Sequence, residues 1–248
     1  MIKFYVLTLF SDFFQAFKNT SIVKKGLEKE LYEIIVKNIR DFAINNYGQV
    51  DDVPYGGGSG MLLRCEPIFS SYESLNLPQG NKKVIFFSPK GRKIDHNYII
   101  NLTNFENIVL ICGHYEGVDQ RVIDTLVDDE LSIGDFVLTG GEIPAMALID
   151  STIRQIEGVI KKGSLIDESF TDNLLEHRQY TRPSNFRGME VPKVLTSGNH
   201  KEIEKYKLED AIRETFLKRR DLIEKNKFNL EIQKIINKMK REFQNEFS

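Results

Sequence analysis

Apolar residues fall first in short unbroken runs and later at spacings of three and four, and this change of period divides the chain. Residues 2–10, IKFYVLTLF, read as a buried strand. A helix follows from about Asp12, and the alternation in LYEIIVKNI gives a second strand, so the chain opens as β-α-β. Residues 66–77 and about 94–102 have helical spacing, whereas 84–87 and 108–112 are continuous apolar runs, as in strands buried on both faces of a parallel sheet. The first run is cut by Ser88-Pro89-Lys90-Gly91 and the second by Gly113-His114-Tyr115-Glu116-Gly117. In SIGDFVLTGGEIPA, residues 132–145, the breakers Gly134, Gly140, Gly141 and Pro144 bracket a short apolar run at 136–138, which predicts a strand between two tight bends. Pro144, two residues after Glu142, suits the first turn of a helix. Met146, Ile149, Ile153, Ile156 and Ile160 continue that helix with one buried stripe, leaving Arg154 off it and able to face a ligand.

Residues 161–180 have no sustained period and carry Gly163, Ser164, Asp167, Glu168, Ser169, Asp172 and Asn173, which predicts a mobile linker. Beyond it the sequence is rich in helical pattern, with Leu208, Ile212 and Phe216 on one face. The expected organisation is an α/β domain at 1–160, the linker at 161–180 and a smaller helical domain at 181–248. In an open parallel sheet, ligands sit at the carboxyl ends of strands, so the loops at Ser88, at Gly113 and at 134–141 are expected to converge on one site gripped mainly by main chain.

Composition narrows the class. With 248 residues, 41% hydrophobic and 28% charged, the chain reads as a soluble globular protein. The first strand is too short for a membrane span, and no basic leader precedes it, so a cytoplasmic protein is expected. Cys65 and Cys112 lack C-x-x-C spacing and read as buried free thiols. Net charge is only -2, but residues 199–248 hold 13 Lys/Arg against 10 Asp/Glu, a local excess of three that includes Lys218-Arg219-Arg220. Such a cluster suits a solvated helix face or phosphate contact. The loop GGGSGM, residues 56–61, fits neither a phosphate loop nor a serine-hydrolase elbow, and His96, His114, His177 and His200 are scattered without metal-ligand spacing. What remains is a backbone-built site with Tyr115, Glu116, Ser132, Asp135, Arg154, Asp167, Glu168 and Asp172 as its polar side chains.

The strings FFSPKG, CGHYEGVDQRV, SIGDFVLTGGEIPAMALID and YTRPSNFRGMEVPKVLTSGNH, in this order, resemble those of the bacterial tRNA (guanine-N1)-methyltransferases of the SPOUT superfamily. The resemblance implies an α/β, parallel-sheet SPOUT-type domain with a C-terminal trefoil knot and a helical tRNA-binding domain. It implies a homodimer that uses S-adenosylmethionine to methylate N1 of guanosine 37 of tRNA, with Mg2+ left open as a reaction requirement. Carried over, the cofactor residues are Phe86, Phe87, Ser88, Pro89, Gly113, Tyr115, Glu116, Ser132, Ile133, Gly134, Asp135, Phe136, Val137, Leu138, Gly140, Gly141 and Pro144. Arg154 matches the family's catalytic arginine. The family's base is an aspartate just before a Ser-Phe pair, whereas this chain has Glu168 before Ser169-Phe170 and Asp167 one residue earlier, so either carboxylate is a candidate. Ser59 in the glycine loop and Arg178-Gln179 before Tyr180 are further departures. Two other readings are a SPOUT enzyme acting on ribosomal RNA, against which the long helical C-terminus and the YTRP segment argue, and a non-catalytic RNA-binding protein, which would have no use for three glycine-rich loops.

Overall fold

The computed structural model of the chain describes residues 1–78, 80–161, 163 and 168–246, with side chains as far as 241. Its first strand, β1 (Ile2–Thr8), buries Phe4, Val6 and Leu7 completely. Two short helices, α1 (Asp12–Lys18) and α2 (Ser21–Glu28), lead to β2 (Tyr32–Asn38), which runs parallel to β1 from Ile2↔Tyr32 to Thr8↔Asn38. A small antiparallel ladder, β3 (Asp51–Asp52) with β4 (Leu62–Leu63), closes the glycine loop. Then α3 (Cys65–Glu73), β5 (Lys82–Lys93), α4 (His96–Leu102), β6 (Asn107–Ile111), α5 (Gln120–Leu126), β7 (Asp129–Ser132) and α6 (Glu142–Ile153) complete the alternation. The sheet order is β2-β1-β6-β5-β7 and every pairing is parallel.

A parallel sheet needs cover on both faces. One face packs Phe4, Ile85, Ile108 and Leu131 against Phe14 of α1, Val23 of α2, Leu102 of α4 and Leu148 of α6. The other packs Leu7, Val84, Phe86, Val109 and Ile111 against Ile68 of α3 and Val122 of α5. All of β6 is buried, which is why Ile108 to Ile111 form an unbroken apolar run after Asn107. Helix starts are set by side-chain caps: Asp95 accepts from the Tyr98 N–H at 2.8 Å and Asp119 from that of Arg121 at 3.0 Å.

Four expectations are corrected. Residues 136–138 form no strand: Phe136 and Val137 are 54% and 81% exposed, and no strand pairs with them. The strand of this stretch is β7, just before it, where Leu131 can join the core. Ser88-Pro89-Lys90-Gly91 does not end β5 but bulges from it, with Phe87 and Arg92 both in register with Leu131. Proline offers no ladder N–H there, and a Cβ on Gly91 would lie 2.5 Å from the Leu131 backbone, so only glycine lets the strand resume. The last helix of the sheet region stops at Ile153, leaving Ile156 and Ile160 beyond it, and it buries Glu142, Pro144 and Thr152 besides its apolar residues. Cys112 is buried as expected, but Cys65 is only half-buried.

The chain divides into two compact units, Met1–Lys162 and Gly163–Ser248. In the second, the helices His200–Lys218, Arg220–Lys225 and Leu230–Glu246 enclose Ile212, Phe216, Ile223 and Ile236. Leu174, expected in the linker, is buried in this same cluster. Beside it the Leu175 N–H donates to Thr215 Oγ1 at 2.8 Å, and the Arg178 N–H donates to the buried Asp210 at 2.8 Å. The later part of the expected linker is thus held by the helices. A tight hairpin, Asn185–Phe186 with Met189–Glu190, turns at Arg187-Gly188, both with positive φ.

Candidate active site

Where the β5 bulge meets the carboxyl ends of β6 and β7, the first unit has a cavity of about 340 Å³. Its walls are the β5 bulge, the turn after β6, the segment after β7 and the first turn of α6. Two backbone contacts tie these together: the Gly141 N–H donates to the Gly113 carbonyl at 2.9 Å, and His114 bridges Gly140. The turn after β6 is fixed from its other side, where Glu116 N–H donates to Met61 O at 3.0 Å and Leu63 N–H to Gly117 O at 3.0 Å. A Cβ on Gly60 would lie 2.4 Å from Glu116, so the glycine loop is pressed against the cavity's rim.

Glycines keep the cavity open in different ways. On Gly140 a Cβ would lie 2.3 Å from Glu142 Oε2 and 2.8 Å from His114 Nδ1. On Gly113 it would lie 2.9 Å from the Phe86 ring, whereas on Gly141 it would lie 2.7 Å from the backbone of Cys112. Gly141 is therefore a packing glycine before it is a binding one. Deeper still, the buried Thr8 hydroxyl donates to Glu142 Oε1 at 2.7 Å, fixing the start of α6 to the end of β1. Burial, with the Glu142 charge beside it, pushes the Cys112 thiol well up and keeps it protonated. Among the described residues His114 Nδ1 is the buried side-chain polar atom that lacks a hydrogen-bond partner.

Phe86, Phe87, Ser88, Pro89, Gly113, Tyr115, Glu116, Ser132, Ile133, Gly134, Phe136, Val137, Leu138, Gly140, Gly141 and Pro144 all line this cavity. Asp135 does not; it is exposed and pairs with Lys93 at 2.5 Å. Gln120 and Glu130 line it as well, outside the expected loops, as do Lys90, His114 and Thr139 within them. Glu130 had a legible signal, since it lies two residues before Ser132 and a strand there puts both on one face. His114 sits between two residues already singled out.

Arg154 caps the carboxyl end of α6 in the first unit, its N–H donating to Asp150 O at 3.3 Å. Glu168 belongs to the second unit, where it lines a smaller cavity of about 180 Å³ with Asp172, His177, Glu204 and Lys207. The pair after it is folded: Ser169 Oγ accepts from the Glu176 N–H at 3.1 Å, the Phe170 N–H donates to Leu174 O at 2.7 Å, and the Arg219 guanidinium lies 5.9 Å from the Phe170 ring centre. Asp167 lies outside the described residues. The Lys218-Arg219-Arg220 cluster is engaged locally: Lys218 with Glu214, Arg219 with Asp221 at 2.8 Å and Arg220 with Glu224 at 3.8 Å.

Sheet and site together define an α/β protein with a five-stranded parallel sheet and a candidate ligand cavity where loops at the strands meet. The family model described as tRNA (Guanine-1)-methyltransferase TrmD matches residues 2–225, and the chain belongs to that family. It is 45% identical over 228 residues to the tRNA (guanine-N(1)-)-methyltransferase of Clostridioides difficile, covering 91% of this chain and 99% of that protein. It is 49% identical to the protein of the same name from Nostoc punctiforme, covering 90% and 94%. The one from Staphylococcus carnosus is 45% identical over 242 residues, covering 97% and 98%. Among the described residues no helix is long and apolar enough to cross a membrane.

Proposed function

We propose that this protein transfers the methyl group of S-adenosylmethionine to N1 of guanosine 37 in tRNA, acting as a cytoplasmic homodimer. The observation that carries the reading is the cavity of glycine-rich strand-end loops in a chain of this family. Its residues suit the cofactor. Apolar walls from Phe86, Ile133, Leu138 and Pro144 fit a flat base, bare backbone at Gly113 and Gly140 fits groups gripped by main chain, and about 340 Å³ is within the usual range for such ligands. The buried Nδ1 of His114 lacks a partner there. When bound, S-adenosylmethionine supplies an electrophilic methyl group.

Guanine N1 carries a proton and is a poor nucleophile until that proton leaves. Glu168 takes it, and the Arg154 guanidinium stabilises the charge that then develops on O6. Asp167 is the alternative base. Phe136 and Val137, exposed at the mouth, cover the reacting groups from water once RNA is bound. Mg2+ is a candidate reaction requirement, to be tested by chelation.

The domain arrangement of this reading is a SPOUT-type unit with a trefoil knot, followed by a tRNA-binding helical unit. In that knot the segment after β7 lies against the turn after β6, an adjacency that the bonds between 140–141 and 113–114 provide. The packing of Leu174 and Arg178 supports starting the helical unit before residue 181. In the dimer, the cofactor of one subunit meets the helical unit of the other. The test is nucleoside analysis of an unmodified tRNA transcript after incubation with methyl-labelled cofactor. The label is expected in 1-methylguanosine at position 37 and lost when that guanosine is replaced by adenosine; label at another position, or only in ribosomal RNA, would overturn the reading.

A further inference from the structure

Strand β7 sets acids at the end of cross-strand rows that are otherwise apolar. The registers Leu7↔Ile111, Ile111↔Phe86 and Phe86↔Glu130 form one row across four strands, and its first three members belong to a single apolar cluster. The fourth is a carboxylate. Its neighbours have structural partners: Asp128 accepts from the Val84 N–H at 2.7 Å, and Asp129 pairs with Lys83 at 3.0 Å and accepts from the Tyr98 hydroxyl. Glu130 is different. Its partner is the neutral Ser88 hydroxyl, which donates to Oε1 at 2.5 Å while accepting from the Lys90 N–H at 3.0 Å. Among the described residues no cation pairs with it, and it lines the strand-end cavity. A half-buried acid in an apolar row costs stability unless a cation compensates it.

We propose that Glu130 is a charge-selecting residue for the methyl donor, biasing the cavity toward the cationic sulfonium and away from the neutral thioether left after transfer. This rests on the cavity being the S-adenosylmethionine site. Donor and product share base, ribose and amino-acid arm and differ by one methyl group and one positive charge, so apolar walls discriminate little between them. The charged side chains lining the cavity are Lys90, Glu116 and Glu130, a sum of minus one that matches the donor's net charge of plus one. Without Glu130 the sum is zero. Ser88 holds one carboxylate oxygen and leaves the other for the ligand's field.

The test is calorimetry on the full-length protein without RNA, titrating S-adenosylmethionine and S-adenosylhomocysteine into wild type, Glu130→Gln and Ser88→Ala, with melting curves as the check on folding. Glu130→Gln is expected to lower the donor-to-product affinity ratio about two- to tenfold, with product affinity within about twofold of wild type. Ser88→Ala keeps the charge and is expected to keep the ratio. Equal losses for donor and product would mean that Glu130 holds a group common to both, and an unchanged ratio would make it only the acceptor for Ser88; either overturns the proposal. If Glu130→Gln does not fold, salt puts the same question to wild type, where donor affinity must fall more steeply than product affinity. Wild type binding neither ligand would instead overturn the cofactor assignment itself.

Discussion

The two units solve different problems with different chemistry. In the sheet unit, apolar layers on both faces fix the strand ends, and the cavity there joins bare backbone and apolar side chains to a few charged ones, Lys90, Glu116 and Glu130. The helical unit has a small core, with Leu174, Ile212, Phe216, Ile223 and Ile236 buried, and it sets charges beside that core. Asp210 is 4% exposed, yet its carboxyl stays below the usual range; burial alone would raise it, but hydrogen bonds from the Arg178 side chain and N–H outweigh burial. Glu214, also buried, takes Lys218. Under the proposed function the first unit holds a cationic nucleoside in a slot fixed by aliphatic packing on both sheet faces; in the second, the buried carboxylates Asp210 and Glu214 are compensated by Arg178 and Lys218. The difference explains why the first cavity looks ready for its ligand while the basic cluster of the second unit is already occupied by its own acids.

The most damaging way to probe the contrast is at Gly141. Its Cβ would strike the Cys112 backbone, so Gly141→Val is expected to cost about 3 kcal/mol or more and to yield a poorly folded protein by melting and circular dichroism. Gly140→Val meets side-chain atoms of Glu142 and His114 instead and should fold while binding the cofactor about tenfold or more weakly by calorimetry. Equal effects of the two would erase the distinction between a packing and a binding glycine.

In the helical unit, Asp210→Asn removes the charge and one of the two oxygens that accept from Arg178, and is expected to cost about 1–3 kcal/mol in denaturant unfolding. Because the folded-state pKa of Asp210 is lowered, its contribution is complete above the unfolded value of about 3.9 and is lost as pH falls through the folded one. The cost of the substitution should therefore shrink as pH falls below about 4, and a cost that stays unchanged down to about pH 2 would contradict the assignment. The smallest effect is expected from replacing Lys218, Arg219 and Arg220 together with alanine. Each already holds a carboxylate, so the slope of log affinity for tRNA against log salt should fall by about 1, not by the ~2.7 of three full phosphate contacts. An unchanged slope would return the cluster to a solvated helix face.

Much of the sheet unit was legible because its strands are buried on both faces, so 84–87 and 108–112 declare themselves by composition alone. The candidate cavity was legible for a related reason: glycines and prolines mark where strands must give way to loops. Period failed where tertiary contact decides. The run 136–138 is apolar because it lines a ligand cavity, not because it enters the sheet, and Ile156 and Ile160 keep helical spacing past a helix that has ended. Ser88 to Gly91 looked like a terminus because proline and glycine cannot reveal that the strand resumes beyond them. Leu174 and Arg178 were hidden in a polar stretch whose partners, Ile212 and Asp210, lie more than 30 residues away. No local pattern records such a pairing.

The division of labour stands or falls at Glu168. The decisive comparison sets calorimetric affinity for S-adenosylmethionine and tRNA beside the single-turnover rate of methyl transfer, in wild type, Glu168→Gln and Asp167→Asn. The account predicts that Glu168→Gln binds both ligands as wild type does and loses about a hundredfold or more in rate, while Asp167→Asn is mild. The reverse order would move the base to Asp167, and two mild effects would contradict a carboxylate base from this segment altogether.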